Sequence, residues 1–281
     1  MTLPTVDIPQ KTPKGKYPTM EVKAINSILS TTGRMQLRST VLTSSKLMTF
    51  EELNQFSGFV LYEADLPKFT RDPSNLVVEK LRDRAQVYID GKSVGVLSRE
   101  NNIKSLPITA SFGKRVQILV ENQGRINFQT NFDFKGILGN VTVQTFEEPY
   151  YKELTDWTIT GFPFDNYAKL ESYIKSEGEQ YVLSKNGWLR DGPVVFHGEF
   201  EIAAGTVIHD TWWNTSGWGK GVLFINGFNL GRYWPLVGPQ ITMYIPKDLL
   251  KQGTNTFVIL EQQKAPLDRK IYFSDEAIFM E

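Results

Sequence analysis

Five aromatic residues, Trp212, Trp213, Trp218, Tyr233 and Trp234, fall within 23 residues of a 281-residue chain, beside the amide side chains Asn214, Asn226 and Asn229. That pairing can recognise sugars, because the apolar C–H face of a pyranose lies on an indole ring while amides bind its hydroxyls. The same rings can equally fill the core of a β-sandwich, and residue types and spacing leave both uses open. Trp218 and Trp234 are the candidate stacking rings. A second polar and aromatic stretch, Arg125-Ile-Asn-Phe128, follows a strand-like run ending in Val-Glu-Asn and carries the same ambiguity.

Other chemistry finds little purchase. Glycosidic cleavage needs an acid/base and a second carboxylate about 5 to 10 Å apart. Glu121, Asp133 and Asp210 sit near turns as candidates, but spacing does not show which carboxylates converge, and solvation or strand-end hydrogen bonding also explains them. There is no G-x-S-x-G elbow and no H-E-x-x-H. Glycines alternate in Gly217-Trp-Gly-Lys-Gly221, yet no helix signal follows to cradle a phosphate. With no cysteine and only His197 and His209, neither of which has a ligand-spaced partner, no metal site and no cofactor is assigned. Two sequons, Asn140-Val-Thr142 and Asn214-Thr-Ser216, are glycosylation acceptors if the chain enters a secretory route.

Lys+Arg at 31 balance Asp+Glu at 31, and hydrophobics stand at 41%, so neither a nucleic-acid footprint nor global disorder is expected. No apolar run approaches the roughly 18 residues of a membrane span, and the opening residues lack the basic and apolar regions of a signal peptide. The absence of cysteines fits a reducing compartment, but a domain with its own core can be secreted without disulfides.

At about 150 residues per domain, the length allows two modest domains or one large one. Residues 3–18 hold four prolines in sixteen positions and read as a stiff linker, so the chain is expected to be the downstream piece of something larger. From Gly58 on, short apolar or alternating runs closed by turn residues predict strands at 59–64, 116–121, 137–143, 194–202, 222–225, 241–245 and 256–260. An internal repeat organises them. Val87-Tyr-Ile-Asp-Gly-Lys-Ser-Val-Gly95 matches Leu223-Phe-Ile-Asn-Gly-Phe-Asn-Leu-Gly231 at an offset of 136 (227 minus 91), and Asp90-Gly91 predicts a tight hairpin turn. Gly58-Phe-Val-Leu-Tyr lies 33 residues before the first turn glycine and Pro193-Val-Val-Phe-His lies 34 before the second. Val116-Gln-Ile-Leu-Val-Glu-Asn-Gln and Thr256-Phe-Val-Ile-Leu-Glu-Gln-Gln follow by 25 and 29 residues. The expected fold is therefore all-β, two copies of one sandwich joined by a short helical connector. The expected divisions are a lead-in at 1–55, sandwiches at 56–146 and 190–281, and the connector at 147–189. In the connector, Asp165 is the expected helix N-cap and Leu170, Tyr173 and Ile174 the apolar stripe.

Gly58-Phe-Val-Leu-Tyr62, Asp83-Arg-Ala-Gln-Val-Tyr-Ile-Asp-Gly91, Leu119-Val-Glu-Asn-Gln-Gly-Arg-Ile-Asn127, Asp133-Phe-Lys-Gly-Ile-Leu138, Gly217-Trp-Gly-Lys-Gly221 and Asn226-Gly-Phe-Asn-Leu-Gly-Arg-Tyr-Trp-Pro235 resemble glycoside hydrolase family 35 β-galactosidases of the animal lysosomal type. The resemblance covers roughly residues 45–280. It implies two tandem galactose-binding-like jelly-roll sandwiches, which in that family follow a catalytic (β/α)₈ barrel in the same polypeptide. The barrel's two glutamates have no counterpart here, so no catalytic residue is carried over and the chain alone is expected to be inactive. The implied role is the non-catalytic C-terminal region of an enzyme that removes terminal β-D-galactose from galactosides, in a lysosomal or extracellular setting. A stand-alone carbohydrate-binding module is the alternative. The resemblance further implies that Asn127 and Phe128 reach the rim of the sugar site. Phe128 stands where the animal form has a tyrosine, which keeps the packing surface and loses the hydroxyl's hydrogen bond, and Gln129 stands where a glycine is common.

Overall fold

The computed structural model describes residues 10–67, 72–109, 114–128, 132–145 and 151–280. The regular structure among the described residues is mostly β-strand, and they fall into two compact units. The first runs from Ile25 to Tyr181 with Leu189–Val194; the second comprises residues up to Ala24, Val182–Trp188 and the chain from Val195 onward. No helix among them is long and apolar enough to cross a membrane.

In the first unit a six-stranded antiparallel sheet runs Thr40–Ser44, Trp157–Phe162, Phe59–Asp65, Arg115–Glu121, Arg84–Ile89, Lys92–Ser98. Facing it is a four-stranded sheet, Tyr151–Glu153, Val141–Thr145, Ser74–Val78, Ser105–Ile108. The core lies between them, because alternate residues of each strand point inward. Val60, Tyr62 and Ala64 meet Val87, Ile118 and Val120 from one sheet and Leu76, Val78, Val141 and Val143 from the other, closed by Trp157. The run predicted as one strand at 137–143 is two short ones. Gly136–Ile137 pairs with Leu81–Arg82, and Val141–Thr145 pairs with Ser74–Val78, with a bend at Gly139 between them.

The predicted connector helix forms at Tyr167–Glu177, burying Leu170, Tyr173 and Ile174. Eleven residues are too few for a stable isolated helix, so that buried stripe is what holds it. Its N-cap is Asn166, whose side chain accepts from the Ala168 N–H, one residue beyond the expected Asp165. A second helix, Thr31–Gln36, capped by Ser30, carries Arg34 onto Glu63 at 2.8 Å, on the sheet face away from the core.

The second unit sets Met20–Glu21, Lys270–Ser274, Thr211–Asn214 and Thr242–Ile245 in one antiparallel sheet. In the other, Phe228–Tyr233, Gly221–Ile225, Gly253–Glu261 and Val194–Ile202 lie side by side. Ring contacts join the two, with Trp213 of the first sheet 5.3 Å from Phe257 and 4.7 Å from Tyr233 of the second.

The repeat is structural down to its irregularities. Both hairpins turn on two residues of positive φ, Asp90 and Gly91 at 46° and 75°, Asn226 and Gly227 at 48° and 86°. This geometry suits the twist of paired strands. Both also carry a β-bulge at the same place, between Val87 and Tyr88 and between Leu223 and Phe224, which are 136 residues apart. The third strand differs from the sequence match by one residue. Val116 pairs with Ile89 and Phe257 with Ile225, so Val116 corresponds to Phe257, and Glu121 to Gln262, where the shared Glu had aligned Glu121 with Glu261. A one-residue slip in a strand exchanges its faces.

Candidate functional site

In the first unit, the strand ending at Glu121 runs into a loop at residues 122–128 that holds the two rim candidates. The loop is tied down from its own backbone and side chains. Asn122 donates to the Phe56 carbonyl at 2.8 Å and accepts from the Gly124 N–H at 2.9 Å. Arg125 donates to the same Phe56 carbonyl at 2.9 Å and pairs with Glu51. Beneath it lies a charge cluster built on Asp83 and Asp133. The Lys135 ammonium, fully buried, sits 2.8 Å from carboxylate oxygens of both Asp83 and Asp133. Arg99 Nη1 donates to the same two carboxylates at 2.9 and 3.0 Å. The Oδ2 atoms that accept from Lys135 also reach the loop, Asp83 accepting from the Gln123 N–H at 2.9 Å and Asp133 from the Ile126 N–H at 3.2 Å.

Arg82 adds a third cation 3.9 Å from Asp133, so both anions are fully paired, and with every carboxylate oxygen engaged the cost of burying the charges is offset. Burial works against the charge of Asp133, but the hydrogen bonds from Lys135 and Ile126 and the charges of Lys135 and Arg99 hold its carboxyl below the ordinary value. Upon this base Asn127 is exposed and the Phe128 ring is 72% exposed, a large apolar surface held out in water. Gln129 lies outside the described residues. Asp133, considered above as a catalytic carboxylate, is thus the partner of Lys135 and Arg99. Lys135 carried no signal beyond its place in Asp133-Phe-Lys135, because a lysine is almost never buried and nothing local says that this one is.

The tryptophan-rich segment of the second unit separates into an inner and an outer set. Along Thr211–Asn214 the side chains alternate, so Trp213 enters the core while Trp212 lies outside, its ring 5.3 Å from Tyr244. Trp218 is 2% exposed, packed edge-on against Phe196 at 5.2 Å and Trp213 at 5.7 Å, so its ring faces lie in the core. Trp234 is half-buried. The three amides beside these rings serve the chain itself. Asn226 bonds to the Leu249 carbonyl, to Asn255 and to the Thr256 N–H, while Asn214 and Asn229 accept from the N–H groups of Ser216 and Gly231. Of the sequons, Asn140 is exposed in the bend before Val141–Thr145, and Asn214 is half-buried at the end of a strand.

The glycine-alternating segment wraps a buried carboxylate. Glu261, fully buried, accepts from the N–H groups of Gly219, Lys220, Gln263 and Lys264 and from the Tyr233 hydroxyl at 2.6 Å. Glycine is required there by close approach, since a Cβ at Gly219 would meet Glu261 Oε1 at 2.9 Å and one at Gly221 the Leu260 carbonyl at 2.3 Å. Burial raises the Glu261 carboxyl above its ordinary value, although the hydrogen bonds from Tyr233, Lys220, Gln263 and Lys264 act the other way. Asp210 is held at about 2, by its hydrogen bond from Lys14 at 2.8 Å first and the Lys247 N–H second.

A family model described as the first all-β domain of β-galactosidase matches residues 47–164, and another described as the galactose-binding domain of β-galactosidase matches residues 193–255. The β-galactosidase of Pongo abelii is 36% identical over 281 aligned residues, which cover 94% of this chain and 39% of that protein. That of Homo sapiens is 36% identical with the same coverage, 94% and 39%. β-Galactosidase 17 of Arabidopsis thaliana is 35% identical and covers 88% of this chain and 37% of its own length. The chain thus spans about 39% of the length of the first of these relatives. Built from an all-β domain and a galactose-binding domain of that kind, the chain belongs to the β-galactosidase family.

Proposed function

We propose that this chain is the non-catalytic C-terminal region of a β-galactosidase, which supports a catalytic (β/α)₈ barrel and shapes the rim of its galactoside site. The complete enzyme removes terminal β-D-galactose from glycoconjugates, with both catalytic glutamates on the barrel, in a lysosomal or extracellular setting. The observation that carries this reading is the loop at 122–128, anchored on the Asp83–Lys135–Asp133–Arg99 cluster while it holds Asn127 and Phe128 out in solvent. A buried charge cluster that fixes the loop backbone at Gln123 and Ile126, just before an exposed aromatic, suits a rim contact, because a pre-ordered loop costs little further entropy when a sugar arrives. The fate of this chain's own carboxylates supports the same reading. Asp83 and Asp133 are bound to Lys135, Asp210 to Lys14, and Glu261 to backbone amides.

The test uses a complete enzyme carrying this region. An aromatic contact of about 1 kcal/mol corresponds to about fivefold in affinity. Phe128→Ala is therefore expected to raise KM for a chromogenic β-galactoside by about that factor, with the melting temperature unchanged. A KM that does not move contradicts the rim assignment.

A further inference from the structure

The first unit carries a small cleft of about 170 Å³, lined by Lys80, Arg82, Ser98, Arg99, Asn102 and Lys104 together with Glu79 and two apolar side chains. Two short segments build it. At residues 79–82 the Glu79 N–H donates to the Asn140 carbonyl at 3.1 Å, and the Lys80 carbonyl accepts from the Leu138 N–H at 2.9 Å. The turn from Ser98 to Ile103 is closed by two bonds, the Ser98 N–H to the Ile103 carbonyl at 3.0 Å and the Ile103 N–H to the Ser98 carbonyl at 2.8 Å. The Val78 N–H donates to the Lys104 carbonyl at 2.8 Å and ties the two segments together. The walls are thus ordered before anything binds, which lowers the entropic cost of binding.

Four cations and one acid line the cleft, and the acid is engaged elsewhere, Glu79 accepting from the Asn140 N–H at 3.2 Å. Arg99 is committed to Asp83 and Asp133 and contributes only its charge. Arg82 lies 3.9 Å from Asp133, too far for a hydrogen bond, so its N–H groups are not spent there. Lys80 and Lys104 are exposed and make no ion pair among the described residues. A buried donor joins these cations. Ser98 is 3% exposed, and its Oγ accepts from the Asn101 N–H at 3.3 Å and the Asn101 side-chain amide at 3.4 Å, while its own proton meets no acceptor among the described residues. A buried donor left unmet is costly, so a group that brings acceptors to this cleft gains there. An acceptor-only group with negative charge on several oxygens answers such a donor set, and a tetrahedral oxyanion is that group. The volume is well under the roughly 300 Å³ at which clefts for larger ligands begin, so it suits a sulfate or phosphate and excludes an oligosaccharide.

We propose that this cleft binds a sulfate or phosphate group, with Lys80, Lys104 and Arg82 as its cationic partners and Ser98 as a buried donor. It uses residues of the first unit alone and stands whether or not Phe128 serves a rim. The experiment follows the backbone amide signals of the full 281-residue chain, ¹⁵N-labelled, while sodium sulfate replaces sodium chloride at constant ionic strength, which holds general screening fixed. The signals of Leu81, Ser98 and Asn102 are expected to shift saturably with a millimolar Kd while those of the second unit stay in place. Lys104→Gln, at an exposed position, is expected to weaken binding by about fivefold, the upper end for one partly exposed charged contact. Lys80→Gln and Lys104→Gln combined are expected to abolish saturation over the same range. Ser98→Ala is expected to weaken binding several-fold, and the lysine variants keep the test open if Ser98→Ala does not fold. No saturable shift in the folded wild-type chain, or an equal one in the double lysine variant, overturns the site. Galactose 6-sulfate separates the sources of the group: affinity above that of inorganic sulfate supports a group carried on a sugar, and equal affinity supports the free ion. A response to unsubstituted galactose equal to that of its 6-sulfate overturns the assignment to an anion.

Discussion

The two copies of the repeat share their turns and bulges but secure the end of their third strand by opposite means. In the first unit the strand ending at Glu121 is followed by a projecting loop, fastened to Asp83 and Asp133, which are paired with Lys135 and Arg99. In the second, Glu261 stands where the first copy has Val120, and folds the segments at 219–220 and 263–264 onto itself through backbone amides. One carboxylate on the inner face of a strand closes the second sandwich. A pair of ion-paired carboxylates below a loop opens the first outward. A duplicated scaffold thus keeps one end for packing and turns the other into a platform for Asn127 and Phe128.

Removing a cation is the strongest way to break the first arrangement. Lys135→Met removes the one fully buried cation and leaves Asp83 and Asp133 to the more exposed Arg99 and Arg82, and loss of one partner of a buried pair costs about 3–5 kcal/mol. Hydrogen exchange is expected to show that loss in the first unit and spare the strands of the second. Glu261→Ala removes the acceptor of five donors. With about 1–3 kcal/mol for each buried donor left unmet and water reaching some of them, roughly 3 kcal/mol is expected from denaturant unfolding, now in the second unit.

Acid separates the two by sign. The folded pKa of Asp133 is lowered from 3.8, so its contribution is complete above that value and is lost as pH falls below it. The folded pKa of Glu261 is raised from 4.5, so its protonated form is favoured by folding and its contribution grows as pH falls toward 4.5. Melting temperatures of the wild-type chain against Asp133→Asn and Glu261→Gln are expected to diverge in opposite directions on acidification. Parallel curves would mean that the carboxylates do not differ in kind. The smallest effect is expected at Phe128→Ala, within about 0.5 kcal/mol as for other exposed positions, which separates a ring held for contact from one held for packing.

The hairpins were legible because turn chemistry is local. Asp90-Gly91 and Asn226-Gly227 each dictate their own backbone, and the bulges follow at a fixed distance. The third strand was misaligned because Val-Glu-Asn and Leu-Glu-Gln look alike in type, while the partner strand, which sequence does not display, sets the register. The tryptophans were legible as a group and not as individuals. Trp218 lies between Gly217 and Gly219 and Trp234 between Tyr233 and Pro235, contexts that do not say which ring is buried, and only the fold puts one against Phe196 and the other beside a surface cleft. Lys135 stayed hidden for a related reason, since its partner Asp83 is 52 residues away.

The central claim is that this region holds and shapes a galactosidase site without performing the chemistry. Its most direct measurement is hydrolysis of a chromogenic β-galactoside by the purified 281-residue chain. No turnover above buffer is the predicted result. Turnover that co-purifies with the chain and disappears on substitution of a single Asp or Glu within it would contradict the account.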